Sequence, residues 1–591
     1  MKYKLYKHSE NNTSNVISEV LKNRGVTDYK TYLNLSEDVV IDYKRLENID
    51  LAVNLFMKHY ESKNKIYVLV DEDPDGYCSA SMMYLYIKRL DEEYPVDYIL
   101  HKKAKSHGLS EDVVVPKDAK LLIIPDASTN DIDECKKLKD SGVDVLILDH
   151  HESEKENPFA VIVNNQMSKD YPNKDLCGAG IVYKFLKALD EETWNEYADD
   201  FLDLCALANI SDVMDMRSFE TRYLTNLGLL NIKNKALQAF ISAQEYSMCG
   251  KVNIHNIQWY ITPVLNGCIR IGSNEEKELL FKAFIEQDEF FEYKKRATKN
   301  KPAEVVQESI YDRVARLSKN AKSRQDKSKE KGVIAIKEVI GNLQHNDKVI
   351  ILDVTNIIDN SLTGVIAIKI AEQYNKPCIL LRKHYDKNLN KIVYGGSARN
   401  VDHSPIDSFK DIVNQTNVMC GKGHANAFGI VNLNVDDKEK ALQEINDILK
   451  DVIYDSTYRV DFVVDVDDVR SGFVIDFSCF EDIVCQGIDD PMIAVENIKL
   501  TKDCFEIFGK NEDTISFMYN DIKYIQFKCK EGNQLYDFLQ NAWDDDDFVE
   551  FNIVGKPTVN EYNGVRTPQI IIEDTNVTSI SNSNNIDDDS W

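Results

Sequence analysis

Apolar runs and helical stretches alternate along the chain between about residue 66 and residue 222. Runs that are almost wholly apolar are typical of strands that are covered on both faces of a sheet. Because helical segments separate these runs, the alternation predicts an α/β domain built on a parallel sheet over residues 61–245. The predicted strands are residues 66–70, 121–124, 143–148 and 160–163.

The same alternation returns later in the chain and then gives way to another pattern. Apolar runs at residues 349–354 and 377–381 predict a second α/β domain over residues 346–452. From about Val460, short alternating strands with turns between them predict a small all-β barrel over residues 453–576. Its predicted strands are residues 505–509, 514–519, 523–528, 548–555 and 569–573, the last of which follows the turn Tyr562-Asn563-Gly564.

Three further segments complete the predicted organisation. Residues 1–60 have the pattern of a small, mostly helical lead-in. Within residues 246–345 a long connecting helix is predicted, because four apolar residues share one helical face: Val306, Ile310, Val314 and Leu317. The basic stretch at residues 319–331 fits a solvated linker face and a DNA contact about equally well. The polar residues 577–591 predict a disordered tail.

Length and composition bound the class of protein. A chain of 591 residues is too long for one core, and its 43% hydrophobic content suits soluble globular domains. Without a long apolar run or an apolar segment after the first residues, we expect neither a membrane span nor a secretory signal. The twelve scattered cysteines favour reduced thiols in a cytoplasmic protein. The net charge of −28 lowers the expectation of tight non-specific DNA binding, although a local channel matters more than the total.

Acidic and imidazole side chains stand where the predicted strands and one helix end. Asp71, Asp73 and Asp75 follow the first strand, and in an extended segment all three would share one face. Three carboxylates this close raise one another's proton affinity unless cations neutralise them. A solvated acidic turn is the alternative for this motif alone, but three further positions weaken it: Asp126, Asp149-His150-His151 and Asp212.

This set of side chains predicts a two-metal phosphoesterase. Carboxylate oxygens favour Mg²⁺ or Mn²⁺, and an imidazole shifts the preference toward Mn²⁺. Two such ions would activate a water for attack and stabilise the charge that develops on the phosphoryl oxygens. We expect Asp126 to bridge the ions, one imidazole of the pair to ligate a metal while the other faces the substrate, and Asp149 to orient an imidazole.

These residues and the order of the domains resemble the DHH phosphoesterase superfamily, and in particular its RecJ branch of single-strand-specific exonucleases. The resemblance runs from about residue 60 to about residue 575. In the first half it is carried by Asp71-x-Asp73-x-Asp75-Gly76, Asp126, Asp149-His150-His151, Leu176-Cys177-Gly178-Ala179-Gly180, residues 206–213 and Pro263-x-Leu265-Asn266-x-x-x-Arg270. In the second half, Gly396-Ser397-Ala398-Arg399 and Gly423-His424 resemble the DHHA1 domain, and the region with Ile553-Val554-Gly555-Lys556-Pro557 resembles an OB domain.

The resemblance implies an enzyme that degrades single-stranded DNA from 5′ to 3′ in DNA recombination, repair or replication. It implies that His151 lies at the scissile phosphate and that six residues ligate the metals: Asp71, Asp73, Asp75, Asp126, His150 and Asp212. The residues implied to grip the DNA are Asn266, Arg270, Ser397, Arg399 and His424. Single-stranded DNA is the implied partner, a single-strand-binding protein or a helicase is a candidate protein partner, and we expect a monomer.

The chain departs from the family's pattern near several of these positions. Where the family has an arginine ahead of Glu-Gly-Tyr-Gly, this chain has residues 101–108, and Lys102 could supply charge for a terminal phosphate without the fork of a guanidinium. Other departures are Ala127-Ser128, Val264, Ile269 and Lys422. Because none is a proposed metal ligand, these departures bear on end recognition more than on catalysis. The divergence and the acidity suit a phage- or prophage-encoded member.

Two rival interpretations stay open at this point. A DHH phosphodiesterase for short oligonucleotides or cyclic dinucleotides would carry the same ligands, but such enzymes generally lack an added OB barrel. Barrels of that kind bind single strands through stacking aromatics, for which Tyr519, Tyr524 and Phe527 are candidates. A non-catalytic replication scaffold would have lost ligands that are all present here. The acidic run at residues 544–547 could bind a partner in addition to catalysis.

Overall fold

The structure is a computed structural model, and it describes residues 1–7, 9–102, 107–153, 155–295, 302–340, 347–386, 389–401, 404–454, 457–509, 511–529, 533–540, 548–562 and 565–581. The chain divides into two compact units. The first unit comprises Lys30–Ser328 and Cys485–Gly487, and the second comprises Met1–Tyr29, Lys329–Val484 and Ile488–Trp591.

The N-terminal segment belongs to the second unit. It contains strand β1 (Lys2–Leu5) and helix α1 (Val16–Asn23), whose N-terminus is capped by Asn15. Strand β1 pairs in parallel with the distant strand Thr457–Val460. Helices α2 (Tyr29–Leu33) and α3 (Ile49–Glu61) follow. The lead-in predicted over residues 1–60 is therefore divided between the two units.

A parallel sheet forms the centre of the first unit. Its strands are β2 (Ile66–Val70), β3 (Val96–Leu100), β4 (Leu121–Pro125), β5 (Asp144–Asp149) and β6 (Val161–Asn164). The strand order is β3-β2-β4-β5-β6, and every pair is parallel. Strands β2 and β4 are buried along their whole length, since helices cover the sheet. The predicted parallel-sheet α/β domain is confirmed.

After β2, helices make up most of the rest of this unit. They are α4 (Pro74–Leu90), α5 (Ile132–Asp140), α6 (Gly178–Thr193), α7 (Leu202–Ser211), α8 (Phe219–Leu230), α9 (Lys235–Ala243), α10 (Ile254–Asn256), α11 (Thr262–Ile271) and α12 (Asn274–Phe284). Helix α4 starts with Pro74 in its first turn and Asp73 as N-cap, so it begins directly after β2. A π-helical turn, Ile257–Ile261, joins α10 to α11. Helices α4, α6 and α7 pack against one another beside the sheet.

A β-hairpin precedes the long helix. Strands β7 (Phe290–Lys295) and β8 (Glu304–Ser309) are antiparallel, and helix α13 runs over Ile310–Ile340. The predicted long helix is therefore present, but it starts later than expected. Placing Val306 on it was wrong, because Val306 lies in β8 opposite Tyr293. Ile310 and Val314 lie on the buried side of the helix, as expected.

The second unit contains another α/β sheet. Its strands are β9 (Ile350–Asp353), β10 (Cys378–Asp386), β11 (Lys391–Arg399), β12 (Cys420–Gly423) and β13 (Ala427–Asn434), in the order β12-β13-β11-β10-β9. Only β9 and β10 pair in parallel among these described strands. The helices are α14 (Thr363–Tyr374), α15 (Phe409–Asn414) and α16 (Lys438–Ile448). Two apolar clusters, one around Phe409 and Ile445 and one around Ile366 and Ile370, form its cores.

A mixed seven-stranded sheet forms the C-terminal part. Strand β14 (Thr457–Val460) pairs with β1, and the sheet follows in the order β15-β16-β20-β21-β19-β18-β17. Its strands are β15 (Phe462–Asp465), β16 (Ile493–Thr501), β17 (Phe505–Phe508), β18 (Thr514–Tyr519), β19 (Ile522–Gln526), β20 (Phe548–Tyr562) and β21 (Val565–Ser581). The expectation of an all-β region was wrong, because helices α17 (Ser471–Asp476) and α18 (Gln534–Gln540) lie within it.

Several predictions for this region can be compared with the structure residue by residue. Tyr524 is fully buried and stacks on Phe517, so it is a core residue, whereas Phe527 is half-exposed. Strand β21 continues to Ser581, beyond the predicted start of the tail at residue 577. The acidic run at residues 544–547, the turn residues 563–564 and residues 582–591 lie outside the described residues. None of the helices in the described part of the chain has both the length and the apolar composition that a membrane crossing requires.

Candidate metal centre

The carboxyl ends of three adjacent strands bring the predicted acidic residues together. Asp71 follows β2 directly, Asp126 follows β4, and Asp149 is the last residue of β5. Because the strands are parallel neighbours, these ends meet at one edge of the sheet. Asp212 joins them from the C-cap of α7. All four predicted positions therefore converge on a single place in the first unit.

The potential ligand atoms lie at the separations that shared coordination requires. His150 Nε2 is 3.2 Å from Asp126 Oδ1, 3.4 Å from Asp212 Oδ2 and 3.9 Å from Asp75 Oδ2. Within the described residues, three sets of ligand atoms lie within 4.8 Å of one another: Asp126 with His150 and His151, Asp75 with His150 and Asp212, and Asp71 with Asp73 and Asp126. Carboxylate oxygens combined with imidazole nitrogens suit Mg²⁺ or Mn²⁺.

Two buried atoms at the centre of this cluster lie 3.2 Å apart, but among the described residues they form no hydrogen bond of suitable geometry. Asp126 Oδ1 and His150 Nε2 are both enclosed, and neither has a hydrogen-bond partner in the described part of the chain. A buried polar atom left without a partner costs about 1–3 kcal/mol. Burial also lowers the pKa of His150, which favours the neutral imidazole that ligates metals. The residues present therefore fit a divalent cation.

Two main-chain amides hold Asp75, one of the aspartates that follow β2. Asp75 accepts hydrogen bonds from the N–H groups of Gly178 and Ala179, both at 2.7 Å, at the N-terminus of α6. A Cβ on Gly178 would lie 2.5 Å from Asp126 Cβ, so only glycine fits there. The segment around Gly178 stands out in the sequence as a motif, but its contact with Asp75 was not predicted. The positive φ of Asp126, 65°, turns the chain at this point, and aspartate tolerates that conformation.

Asp149 holds the imidazole of His151 by a hydrogen bond. Its carboxylate accepts a hydrogen bond from His151 Nδ1 at 2.8 Å and another from Thr129 Oγ1 at 2.6 Å. The side-chain amide of Asn164 donates to Thr129 Oγ1 at 3.1 Å and to the His151 carbonyl oxygen at 2.9 Å. The imidazole that Asp149 orients is thus His151. Thr129 and Asn164 were missed from the sequence, where single polar residues in loops carry no distinguishing signal.

Burial, together with mutual repulsion, raises the pKa of three carboxyl groups of the cluster. Burial, followed by the charges of Asp75 and Asp73, raises the pKa of Asp126 well above its usual range. The same causes raise the pKa of Asp212 to about 8. Burial and the charges of Asp71 and Asp75 raise the pKa of Asp73 to about 6. Cations bound at this place would reverse these shifts by favouring the ionised carboxylates.

Two other carboxylates are held ionised by neighbouring imidazoles. Burial opposes ionisation of Asp71, but contacts with the imidazoles of His101 and His107 outweigh it and lower the pKa of Asp71 to about 2. Burial likewise opposes ionisation of Asp149, and its hydrogen bond from His151 lowers the pKa of Asp149 below its usual range. In return, Asp149 raises the pKa of His151 to about 9 against the effect of burial. The site therefore contains two carboxylate–imidazole pairs.

The residues implied to bind DNA lie in both units. In the first, Lys102 and Arg270 are exposed, and Asn266 lies beside Arg270 on α11 with a buried Oδ1 that lacks a hydrogen-bond partner among the described residues. In the second, Ser397 and Arg399 lie on one face of β11, and His424 is exposed after β12.

Arg399 and Ser397 face the start of α14. A Cβ on Gly364, the second residue of that helix, would lie 2.6 Å from Arg399 Nη2 and 3.6 Å from Ser397 Oγ. Arg399 Nη1 donates to the Ala398 carbonyl oxygen at 2.7 Å, and burial lowers the pKa of Arg399. A guanidinium and a hydroxyl at a helix N-terminus are the groups that bind phosphate in proteins.

The fold and the carboxylate–imidazole cluster define the chain as a phosphoesterase of the DHH class. Residues 65–209 match the DHH family, N-terminal domain. Over 583 residues, 98% of each chain, the sequence is 35% identical to YorK of Bacillus subtilis strain 168, an SPbeta prophage-derived protein named as a single-strand DNA-specific exonuclease. The chain belongs to the family of YorK and RecJ.

More distant relatives agree with this assignment. The single-stranded-DNA-specific exonuclease RecJ of Bacillus subtilis is 22% identical over 584 residues, which cover 95% of this chain and 68% of that protein. The fold matches the crystal structure of RecJ in complex with Mn²⁺ from Thermus thermophilus, with a TM-score of 0.69 and 16% identity over 98% of this chain and 78% of that one. The chain therefore has the multidomain α/β fold of RecJ.

Proposed function

We propose that the chain is a metal-dependent exonuclease that degrades single-stranded DNA from 5′ to 3′ by hydrolysing phosphodiester bonds. The observation that carries this proposal is a pair of enclosed ligand atoms at the carboxyl edge of the sheet, Asp126 Oδ1 and His150 Nε2, which have no hydrogen-bond partner among the described residues. Kinship with YorK and RecJ supplies the substrate class. The expected setting is DNA recombination, repair or replication in the cytoplasm, where the twelve free cysteines stay reduced.

Six side chains are the proposed ligands of two Mn²⁺ or Mg²⁺ ions: Asp71, Asp73, Asp75, Asp126, His150 and Asp212. When bound, such ions activate water and stabilise charge on the phosphoryl group. Asp126 is the proposed bridging ligand, because its carboxylate belongs to two of the three ligand sets. His151 is held through Nδ1 by Asp149, so its Nε2 is the nitrogen left to face the scissile phosphate.

A second group of residues is proposed to bind the single-stranded DNA. Arg399 and Ser397, supported by the N-terminus of α14, would bind a phosphate of the DNA. Further contacts are proposed for Lys102, Asn266, Arg270 and His424. Lys102 contributes a single charge without the paired donors of an arginine, so the contact that it makes with a 5′-terminal phosphate would be a weak one.

We also infer that the C-terminal sheet is an OB-type barrel. Only the turn Lys502–Cys504 separates β16 from β17, so the two are successive parts of one strand path. Since β16 pairs with β20 and β17 pairs with β18, the strand order returns to this path after passing through β19 and β21. The rings of Phe505, Phe517 and Phe551 contact one another, which supports a shared core for these strands. OB barrels of this kind bind single strands.

Polarity and substrate are tested with one labelled oligonucleotide. The purified chain, supplied with Mn²⁺, receives a single strand labelled at its 3′ end, with either a free 5′-phosphate or a blocked 5′ end. A labelled ladder that shortens stepwise, only from the free 5′ end, is the expected result. A duplex of the same sequence is the control and should persist. Survival of long strands alongside hydrolysis of dinucleotides or cyclic dinucleotides would instead identify a small-substrate phosphodiesterase.

A further inference from the structure

Asp71 is contacted by one segment of the chain on both of its carboxylate oxygens. His107 Nδ1 lies 2.8 Å from Asp71 Oδ2, and the Gly108 N–H donates to Asp71 Oδ1 at 2.9 Å. His101 Nε2 approaches the same Oδ1 to 3.5 Å. The segment follows β3 and includes the residues at which this sequence departs from the RecJ pattern. Its imidazoles therefore add contacts to a proposed metal ligand that the family motifs do not account for.

We infer that His107, backed by His101, is a positioning residue that clamps the Asp71 carboxylate and thereby sets the affinity of the cation position formed by Asp71, Asp73 and Asp126. The inference rests on the proposed function, in which Asp71 ligates Mn²⁺ or Mg²⁺. A carboxylate that accepts a hydrogen bond on each oxygen cannot rotate freely, and each oxygen keeps a second lone pair for a metal. Hydrogen-bond partners of metal ligands raise affinity by this kind of orientation.

The position of His107 is fixed by the backbone that follows it. The Leu109 N–H donates to Ser128 Oγ at 3.0 Å and to Asp131 Oδ2 at 2.9 Å. Gly108 has a φ of +57°, and a Cβ there would lie 2.5 Å from Asp131 Oδ2, so the turn requires glycine. These contacts tie His107 to the same loop that carries Asp126. The backbone after His107 therefore holds this side chain beside Asp71.

His101 provides a second, independent observation. Its side chain is 1% exposed, and its Nε2 has no hydrogen-bond partner in the described part of the chain. Its other nitrogen, Nδ1, faces Ser110 Oγ at 3.3 Å and Asp112 Oδ1 at 3.6 Å. The enclosed Nε2 is thereby turned toward Asp71. An enclosed nitrogen without a hydrogen-bond partner costs stability. A slight approach of His101 Nε2 to the Asp71 carboxylate would remove this cost, which is why we assign His101 a supporting part in the clamp.

The test compares two substitutions of His107. In His107→Asn the side-chain amide nitrogen can take the place of Nδ1 and donate to Asp71, whereas His107→Leu keeps a similar size without a donor. Because the His107 side chain is 53% exposed, both variants should fold. Mn²⁺ binding to the metal-free protein is measured by calorimetry without DNA, and thermal unfolding in chelator is measured beside it.

We expect His107→Leu to weaken one of the two Mn²⁺ sites by about 10- to 100-fold and to leave the other close to its original affinity. His107→Asn should bind both ions nearly as the parent does. Equal affinities in the two variants, whether both are normal or both are weakened, would overturn the clamp. If His107→Leu fails to fold, His107→Gln replaces it, since its amide reaches past the Nδ1 position and should also weaken the site.

This measurement separates the clamp from the proposed function. It involves neither DNA nor turnover, so a parent protein that fails to degrade single strands can still show the difference between the Leu and Asn variants. That result would refute the proposed substrate and support the role of His107 in positioning Asp71. If the parent degrades single strands from the 5′ end while both variants bind Mn²⁺ alike, the role of His107 is refuted and the proposed function is kept.

Discussion

Lys277 and Glu72 form an ion pair in which both side chains are almost fully buried, with 6% and 5% of their surfaces exposed. Glu72 stands between two of the proposed metal ligands, Asp71 and Asp73, while Lys277 lies on α12. The pair therefore ties the loop after β2 to the helical layer. Because the carboxylates of this loop repel one another, an ion pair outside the cluster helps to hold the loop in position.

Substituting Lys277 by methionine should destabilise the first unit strongly. The change leaves the Glu72 carboxylate enclosed without its cation, which costs about 3–5 kcal/mol when a buried pair loses one partner. Urea unfolding followed by circular dichroism measures the loss. The double variant Lys277→Met with Glu72→Gln should recover a substantial part of this loss, because neither position of the pair then carries a buried charge. A single variant as stable as the parent would show that the pair is not needed for stability.

Asp126→Asn should remove activity while stabilising the metal-free protein. Asparagine tolerates the positive φ at this position, and it removes a carboxylate that is enclosed beside Asp75 and Asp73. In chelator the melting temperature should rise, and the further rise caused by Mn²⁺ should disappear. Exonuclease turnover should fall by at least about 10²–10³-fold. The control is Asp144→Asn at the opposite end of β5, which should keep the Mn²⁺ effect. An active Asp126→Asn enzyme would refute the bridging assignment.

A single methyl group at Gly364 should weaken DNA binding. The added Cβ would lie 2.6 Å from Arg399 Nη2 and displace the guanidinium from the start of α14. We expect Gly364→Ala and Arg399→Ala each to raise the Kd for a single strand about 10-fold or more, as loss of a charged hydrogen bond does. Fluorescence anisotropy in Ca²⁺ measures the change. Gly429→Ala is the matched control, because its nearest neighbour atom is 3.7 Å away. Normal binding by Gly364→Ala would remove Arg399 from the proposed phosphate contact.

The reactivity of the cysteines should report the fold directly. Three of them are exposed, Cys249, Cys420 and Cys504, and Cys479 is half-buried. The remaining thiols are enclosed, and burial raises the pKa of Cys135 and of Cys268 to about 11. Reaction with a disulfide reagent at pH 8 should therefore show a fast phase of three thiols, followed by Cys479. The enclosed thiols should react only in denaturant, and a larger fast phase would contradict their burial.

Local patterns explain which parts of the fold and of the site were predictable. Strands β2 and β4 are continuous apolar runs, and their ends place Asp71 and Asp126 at one edge, so neighbouring strands suffice to predict the cluster. Val306 was assigned to the helix because its spacing to Ile310 and Val314 is helical. Its strand is instead fixed by pairing with β7, which no local pattern reveals. The hydrogen bonds of Thr129 and His107 depend on loop geometry and were equally out of reach.

The N-terminal segment gives the last prediction, because its attachment to the C-terminal sheet was also invisible in the sequence. Arg24 donates to both oxygens of Asp461, at 2.8 and 3.0 Å, and the Asp461 side chain is completely enclosed. Arg24→Met should destabilise the second unit by about 3–5 kcal/mol, since it leaves that charge buried and unpaired. Arg24→Lys should recover only part of this, because lysine lacks the paired donors. Urea unfolding measures the loss, and calorimetry should show Mn²⁺ affinity unchanged, since the proposed ligands lie in the other unit. A loss of Mn²⁺ binding without a loss of stability would contradict this assignment.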